Sequence, residues 1–352
     1  TAGSATGPAA MAYVNRLFEP NERVRPLGLW SFVTAGAPVL GVVIGGPVIS
    51  VIGWRMIFVV QAPLLVGAAA LAWYLLPQTT RMKNVKFDVK GSVTLGLGAT
   101  LFLLAVNRGH SWGWTSPPIL FFAVISIVSL WLFIRFERAA EAPLMPLKWL
   151  RTPNIILPIA IQALLNFAYM GGFIVVPQML EIGLGYSASH VGWLIIARPL
   201  AFSITAPLAS FFTMRAGERK SGVIGACGVI ASMLILSSMA SGSSDLLVVL
   251  GLGLSGIGFG IAAPALTALV SNAVDDETIG VAGAMQQLLS QMGAVLGSTV
   301  MISVHEMTVG STTVVRSYGI ALLFGAGTAT AAALLASRLT PTDRSAEAMA
   351  AN

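Results

Sequence analysis

Gln162, Asn166, Tyr169 and Phe173 stand at i, i+4, i+7 and i+11, which places them on one face of a helix. Two amides and two aromatic rings on one stripe combine hydrogen bonding with apolar surface, the lining an amphipathic organic molecule meets in a binding cavity. Amides that bond across neighbouring helices produce the same stripe, so cavity lining and interhelical bonding both remain open. Gln287 and Gln291 form a second amide pair at i, i+4, with the same two readings. A different chemistry belongs to Arg198, in "WLIIARPLAF". It stands roughly 15 Å into an apolar run at about 1.5 Å per helical residue. An arginine that deep in a bilayer costs about 2.5–3.5 kcal/mol on insertion scales and is expected to face protein or a wet cavity. Helix carbonyls, one of them freed by Pro199, an anion, or a carboxylate are its candidate partners.

No enzyme apparatus accompanies these residues. The sequence has no zinc-ligand spacing, no phosphate-cradling glycine loop and no nucleophile elbow. Asp275, Asp276 and Glu277 form a single acidic cluster that reads as a solvated loop. Cys227 is the only cysteine, which rules out a disulfide within the chain. No metal, no cofactor and no catalytic activity are expected.

The elements that must position these groups follow from composition. Hydrophobic residues make up 56% of the 352-residue chain and charged residues 10%, against about 25% charged in soluble domains. Apolar runs near 27–50, 54–76, 90–107, 117–136, 154–180, 188–212, 221–240, 246–270, 279–303 and 317–338 each have the length to cross a bilayer core of about 30 Å. The runs are continuous rather than alternating, so they predict helices and exclude a β-barrel. If the loop after residue 14 is cytoplasmic, only Arg55, Arg108 and Arg316 fall outside and Arg198 within a span, while every other Lys and Arg falls inside. That asymmetry satisfies the positive-inside rule. It accounts for the net charge of +6 without a nucleic-acid partner, and points to membrane lipids as the basic loops' neighbours. Trp112, Trp114 and Trp149 read as interface anchors.

The chain carries an internal repeat. "PAAMAYVNRLFEPNER" from Pro8 aligns with "PALTALVSNAVDDETI" from Pro264, and the same offset brings "APVLG" at 37–41 onto "GAVLG" at 293–297. That offset spans eight predicted helices, an even number, so the repeats are parallel, as in the two halves of major facilitator transporters. Four stretches resemble the 14-helix drug:proton antiporter branch of that superfamily: "GSATGPAAMAYVNRLFEPNERVRPLGLW", "AGAPVLGVVIGGPVISVIGWRMIFVVQAP", "LGYSASHVGWL" and "GLSGIGFGIAAPALTAL". Together the likeness covers the whole chain. The second stretch resembles the antiporter signature of helix five, with Ala37, Gly41, Gly45 and Gly46 in place and Val42 where the family has proline. Gln61 stands for the asparagine of helix six, and Ser290 for an arginine common in helix thirteen.

The resemblance implies an all-α polytopic membrane protein of the major facilitator fold, two parallel six-helix bundles joined by two linker helices, with the first three helices and most of the fourth absent from this chain. Residues 1–76 would be the remainder of the first bundle, 77–150 the linker helices with their loops, 151–340 the second bundle and 341–352 a cytoplasmic tail. Ala37, Gly41 and Gly45 form a stripe that admits close backbone packing, and Gly293 with Gly297 repeats the device. Plain packing explains the stripes; the resemblance adds that the two glycine-rich helices meet between the halves and govern rocking. The implied function is export of amphipathic or apolar small molecules from a bacterial plasma membrane, coupled to protons, by alternating access. Export of a native lipid or metabolite, and a non-transporting scaffold or sensor, are the alternatives. With the bounds above no span holds Asp or Glu; Glu137, Glu181 and Glu306 lie at span ends. Proton coupling calls for a titratable group in the membrane, and the resemblance places it on helix one.

Overall fold

The computed structural model describes residues 13, 17, 33, 37, 41, 53–76, 88–140, 145–240, 243–274 and 278–340. Gly45, Gly46, most of the first predicted span, the acidic loop 275–277 and the tail 341–352 lie outside the described residues. The helices are α1 (Trp54–Leu75), α2 (Val89–Trp112), α3 (Pro117–Ala139), α4 (Pro153–Gln178), α5 (Ala188–Ile195), α6 (Ala197–Ala216), α7 (Glu218–Ser237), α8 (Asp245–Asn272), α9 (Ile279–Val309) and α10 (Val314–Ala336). Nine segments among the described residues are long and apolar enough to cross a membrane, and they coincide with nine of the predicted spans. This is a multi-pass, all-α membrane fold.

Local chemistry sets the boundaries. Asp88 caps α2 by accepting from the Gly91 amide at 2.8 Å. Proline occupies the first turn of α3 and of α4, where its missing N–H costs nothing. Gly217, at φ 84°, alone joins α6 to α7, a conformation that an L side chain rarely adopts. The span 188–216 is divided at Ile196 into α5 and α6. Pro199 brings no N–H to that first turn of α6, so the break falls where the helix ladder is already interrupted.

Helices α4 to α10 form one bundle. Helix α4 packs on α9, α10, α8 and α7; α8 lies against α6 and α7; α10 lies against α7 and α9. Its main core gathers Leu165, Val175, Met179, Val229, Met233, Leu252, Leu266, Met301 and Leu322. A second cluster at the inner end surrounds Trp149 with Ile155, Ile159, Val270 and Met285. Trp149 therefore belongs to the core and not to the membrane interface, because the 3₁₀ turn Leu147–Arg151 folds it under the start of α4. Trp112 and Trp114 are exposed at the other end.

Two helices approach to backbone contact where glycine permits. A Cβ on Gly225 would stand 2.5 Å from the Gly258 carbonyl oxygen, and a Cβ on Gly258 the same distance from that of Gly225. In lipid, where apolar surface gains little by leaving its neighbours, such contacts supply the packing energy between α7 and α8.

Helices α2 and α3 form a hairpin. Ser126 Oγ donates to the Gly98 carbonyl at 2.8 Å, and Leu130 rests on Gly98. The hairpin reaches the bundle through α2 on α9. Among the described residues α1 is exposed along nearly its whole length. Helices α3 and α9 run further than the predicted spans, so Glu137 and Glu306 fall in their last turns. The expectation of carboxylate-free spans is corrected to that extent: the apolar runs ended before the helices did.

Candidate functional site: the polar interior of the bundle

Helices α4 and α9 run side by side in the same direction, and their polar groups meet in register. Gln286 Nε2 donates to Gln162 Oε1 at 2.6 Å and to Thr267 Oγ1 on α8 at 3.1 Å. One turn further along, Asn166 Nδ2 donates to the Ser290 carbonyl at 2.9 Å and to Ser290 Oγ at 3.0 Å. Each pair is separated by 124 residues. The ladder continues as pure backbone contact. A Cβ on Gly293 would overlap the Ala163 carbonyl oxygen, and one on Gly297 the Phe167 carbonyl oxygen. The structure thus places Gly293 and Gly297 against α4 inside the bundle. Ala37 and Gly41 are helical and exposed, and nothing described lies within 4 Å of a Cβ at Gly41.

The remaining members of the α4 stripe go elsewhere. Tyr169 turns inward to a knot built around Arg198. The guanidinium donates from Nε to Ser255 Oγ on α8 at 2.8 Å and from Nη1 to the Tyr169 carbonyl at 2.9 Å. Its carbon lies 5.0 Å from the Tyr169 ring centroid, and that ring stacks on Phe259 at 4.7 Å. Arg198 is 1% exposed, and its Nη2 has no hydrogen-bond partner. Gly172 makes the room: a Cβ there would stand 3.1 Å from Nη2. The charge is held by a carbonyl dipole, a hydroxyl and an aromatic face, the set that substitutes for a carboxylate when none is in reach. It ties α4, α6 and α8 together beside the break at Ile196.

Phe173 is 41% exposed, and Gln287 and Gln291 are exposed on α9. The predicted residues therefore fall into an interior set, Gln162, Asn166, Tyr169 and Arg198, and an outward set, Phe173, Gln287 and Gln291. The interior set can hold helices in register and set the break in the span; the outward set is what a ligand or a neighbouring helix would touch. Gln286, Ser255 and Thr267 are not among the residues that the sequence singles out, and Ser290 stands there only as a difference from the family. A local pattern does mark Gln286 and Ser290. Ala282, Gln286, Ser290, Gly293 and Gly297 are spaced at 4, 4, 3 and 4, a small-and-polar helix face one residue away from the chosen pair.

Glycine contacts and a polar interior between long apolar helices define a polytopic α-helical membrane protein. The Major Facilitator Superfamily model matches residues 1–298 and again 159–352, and the chain belongs to that superfamily. It is 28% identical over 302 residues to the Multidrug resistance protein Stp of Mycobacterium tuberculosis, covering 86% of this chain and 56% of that protein. It is 27% identical to the Tetracenomycin C resistance and export protein of Streptomyces glaucescens, over 85% of this chain and 56% of the relative. Identity to the Quinolone resistance protein NorB of Staphylococcus aureus is 27%, over 91% of this chain and 70% of the relative. The chain spans little more than half the length of the first two.

Proposed function

We propose that the protein exports amphipathic or apolar small molecules across a bacterial plasma membrane, in exchange for protons, by alternating access. The observation that carries the reading is the pairing of α4 and α9. Their glycine and amide ladder makes the second bundle a stiff unit, as rocking of one bundle against another requires. The relatives support the substrate class: proteins named for multidrug, tetracenomycin C and quinolone resistance are 27–28% identical over most of this chain. Phe173, Gln287 and Gln291 are the proposed contacts with the exported molecule, because they carry aromatic and amide surface on the outside of that stiff unit. Residues 1–76, 77–150 and 151–340 are proposed as first-bundle, linker and second-bundle segments.

The test is drug accumulation in exporter-deficient bacteria that express the protein. Lower accumulation of a fluorescent amphiphile, restored by a protonophore, is the expected result. Accumulation equal to that of empty-vector cells, with the protein present in the membrane, would overturn the reading.

A further inference from the structure

Two acidic side chains meet where the α2–α3 hairpin closes. Asp88 stands just before α2 and Glu137 in the last turn of α3. One oxygen of each is already used. Asp88 Oδ1 accepts from the Gly91 amide at 2.8 Å, and Glu137 Oε1 accepts from the Met145 amide. The other two oxygens, Asp88 Oδ2 and Glu137 Oε2, are buried and have no donor. They border the same point: a Cβ on Gly91 would overlap Asp88 Oδ2 and stand 3.1 Å from Glu137 Oε2. Glu137 as a whole is 4% exposed.

No described cation answers them. Lys90, Arg135 and Arg138 on the two helices, and Lys148 and Arg151 in the turn after Met145, are all exposed. Lys90 lies over the Phe136 ring and Arg135 over that of Trp131. None of the five bonds to the two open oxygens. Two carboxylates cannot bond each other, since neither has a proton to give. Burial and a like charge in contact both oppose ionising the pair together. One proton removes both difficulties. The acid donates and its neighbour accepts, in a charge-assisted bond roughly twice as strong as a neutral one.

We propose that Asp88 and Glu137 bind a single proton between them at neutral pH, and that this proton latches the hairpin to the turn that enters the second bundle. It adds to the Ser126–Gly98 bond a second link across the hairpin. Glu137 carries the link on to Met145, whose side chain packs on the Trp149 cluster. Loss of the proton sets two negative charges against each other at the same place, so the latch holds below the titration of the pair and loosens above it. The site does not rest on the export reading, since it concerns equilibrium proton binding.

Infrared spectroscopy of the purified protein in detergent reads the proton directly. At neutral pH, with and without a metal chelator, the wild type is expected to show the C=O stretch of a protonated carboxyl group, shifted in deuterium oxide. Glu137→Gln and Asp88→Asn should each lose that band, because a side-chain amide supplies the donor without a titrating proton. Glu181→Gln, which removes an exposed carboxylate elsewhere, should keep it. Melting against pH is the second readout. Above about pH 4, where unfolded carboxylates ionise, and up to the titration of the pair, only the folded chain holds the proton. Wild-type stability should therefore fall against that of Glu137→Gln as pH rises, by up to about tenfold in the folding constant per pH unit. Absence of the band from the wild type would overturn the proposal, as would a band that persists in both amide variants. A band present only with the chelator would assign the pair to a cation and overturn it as well. So would parallel melting profiles of wild type and Glu137→Gln. If Glu137→Gln does not fold, Asp88→Asn, which keeps an N-cap acceptor, decides in its place.

Discussion

The α4–α9 seam and the α2–α3 hairpin solve the same problem, holding two helices together in lipid, in different ways. The seam combines buried amide pairs at Gln162–Gln286 and Asn166–Ser290 with direct backbone contact at Gly293 and Gly297. The hairpin relies on one Ser126–Gly98 bond and side-chain packing such as Leu130 on Gly98, with Gly96 opening onto empty space. Helix α9 belongs to the first pair and also packs on α2, presenting its amide ladder to α4 and its hydroxyl face to α2. The difference teaches where rigidity is built in. Contacts that forbid even a methyl group cannot slide, whereas the hairpin has one interhelical hydrogen bond and open space at Gly96.

The sharpest way to break the comparison is a pair of alanines. Gly297→Ala would drive a methyl into the Phe167 carbonyl, and overpacking of this kind costs about 3 kcal/mol at the upper end of its usual range. Gly96→Ala, with nothing within 4 Å, is expected to stabilise α2 by roughly 1 kcal/mol, the propensity difference between the two residues. Unfolding of both variants in detergent checks this; equal stability of the two would dissolve the contrast.

Arg198 gives the next largest effect. Arg198→Met removes a desolvated charge from a site with no described counter-ion and keeps the volume, so stability is expected to change little or to rise. Arg198→Lys keeps the charge but loses the planar fork that reaches Ser255 and the Tyr169 carbonyl together, and is expected to cost about 2 kcal/mol. Thermal melts of both variants are the measurement, and lysine outlasting methionine would show that the guanidinium geometry is irrelevant.

A double-mutant cycle on Gln162→Leu and Gln286→Leu should return a coupling of about 0.6 kcal/mol, the average for polar pairs between membrane helices. Zero coupling would mean that the pair is not formed. The smallest effect belongs to Asn107→Ala, which removes a 3.4 Å bond between exposed and buried partners. Its cost should lie below about 0.6 kcal/mol, and a larger loss of stability would show that the hairpin is pinned to the bundle.

The nine described spans were legible because hydropathy and span length are set by the bilayer, and each is read from a contiguous stretch. Arg198's turn toward protein was legible for the same reason, since the cost of lipid exposure decides it. Its partners were legible only by class. The Tyr169 carbonyl and Ser255 lie 29 and 57 residues away, and no local pattern encodes which helix arrives beside another. Trp149 shows the opposite failure. An inner-loop tryptophan fits the interface by composition, and only the fold of the 3₁₀ turn under α4 puts it in the core. Gln286 rather than Gln287 faces α4, because the helix face that continues through Ser290, Gly293 and Gly297 is the one that packs, and an amide pair at i, i+4 alone does not show which face that is.

Proton exchange for an exported molecule is tested most directly in proteoliposomes. The purified protein is reconstituted with a pH-sensitive dye inside, a pH gradient is imposed, and an amphipathic drug is added outside. Drug-dependent collapse of the gradient, faster than in protein-free vesicles and saturating with drug concentration, is the expected result. A gradient that decays at the protein-free rate with every drug tried, while the protein remains folded in the vesicles, would contradict proton-coupled export.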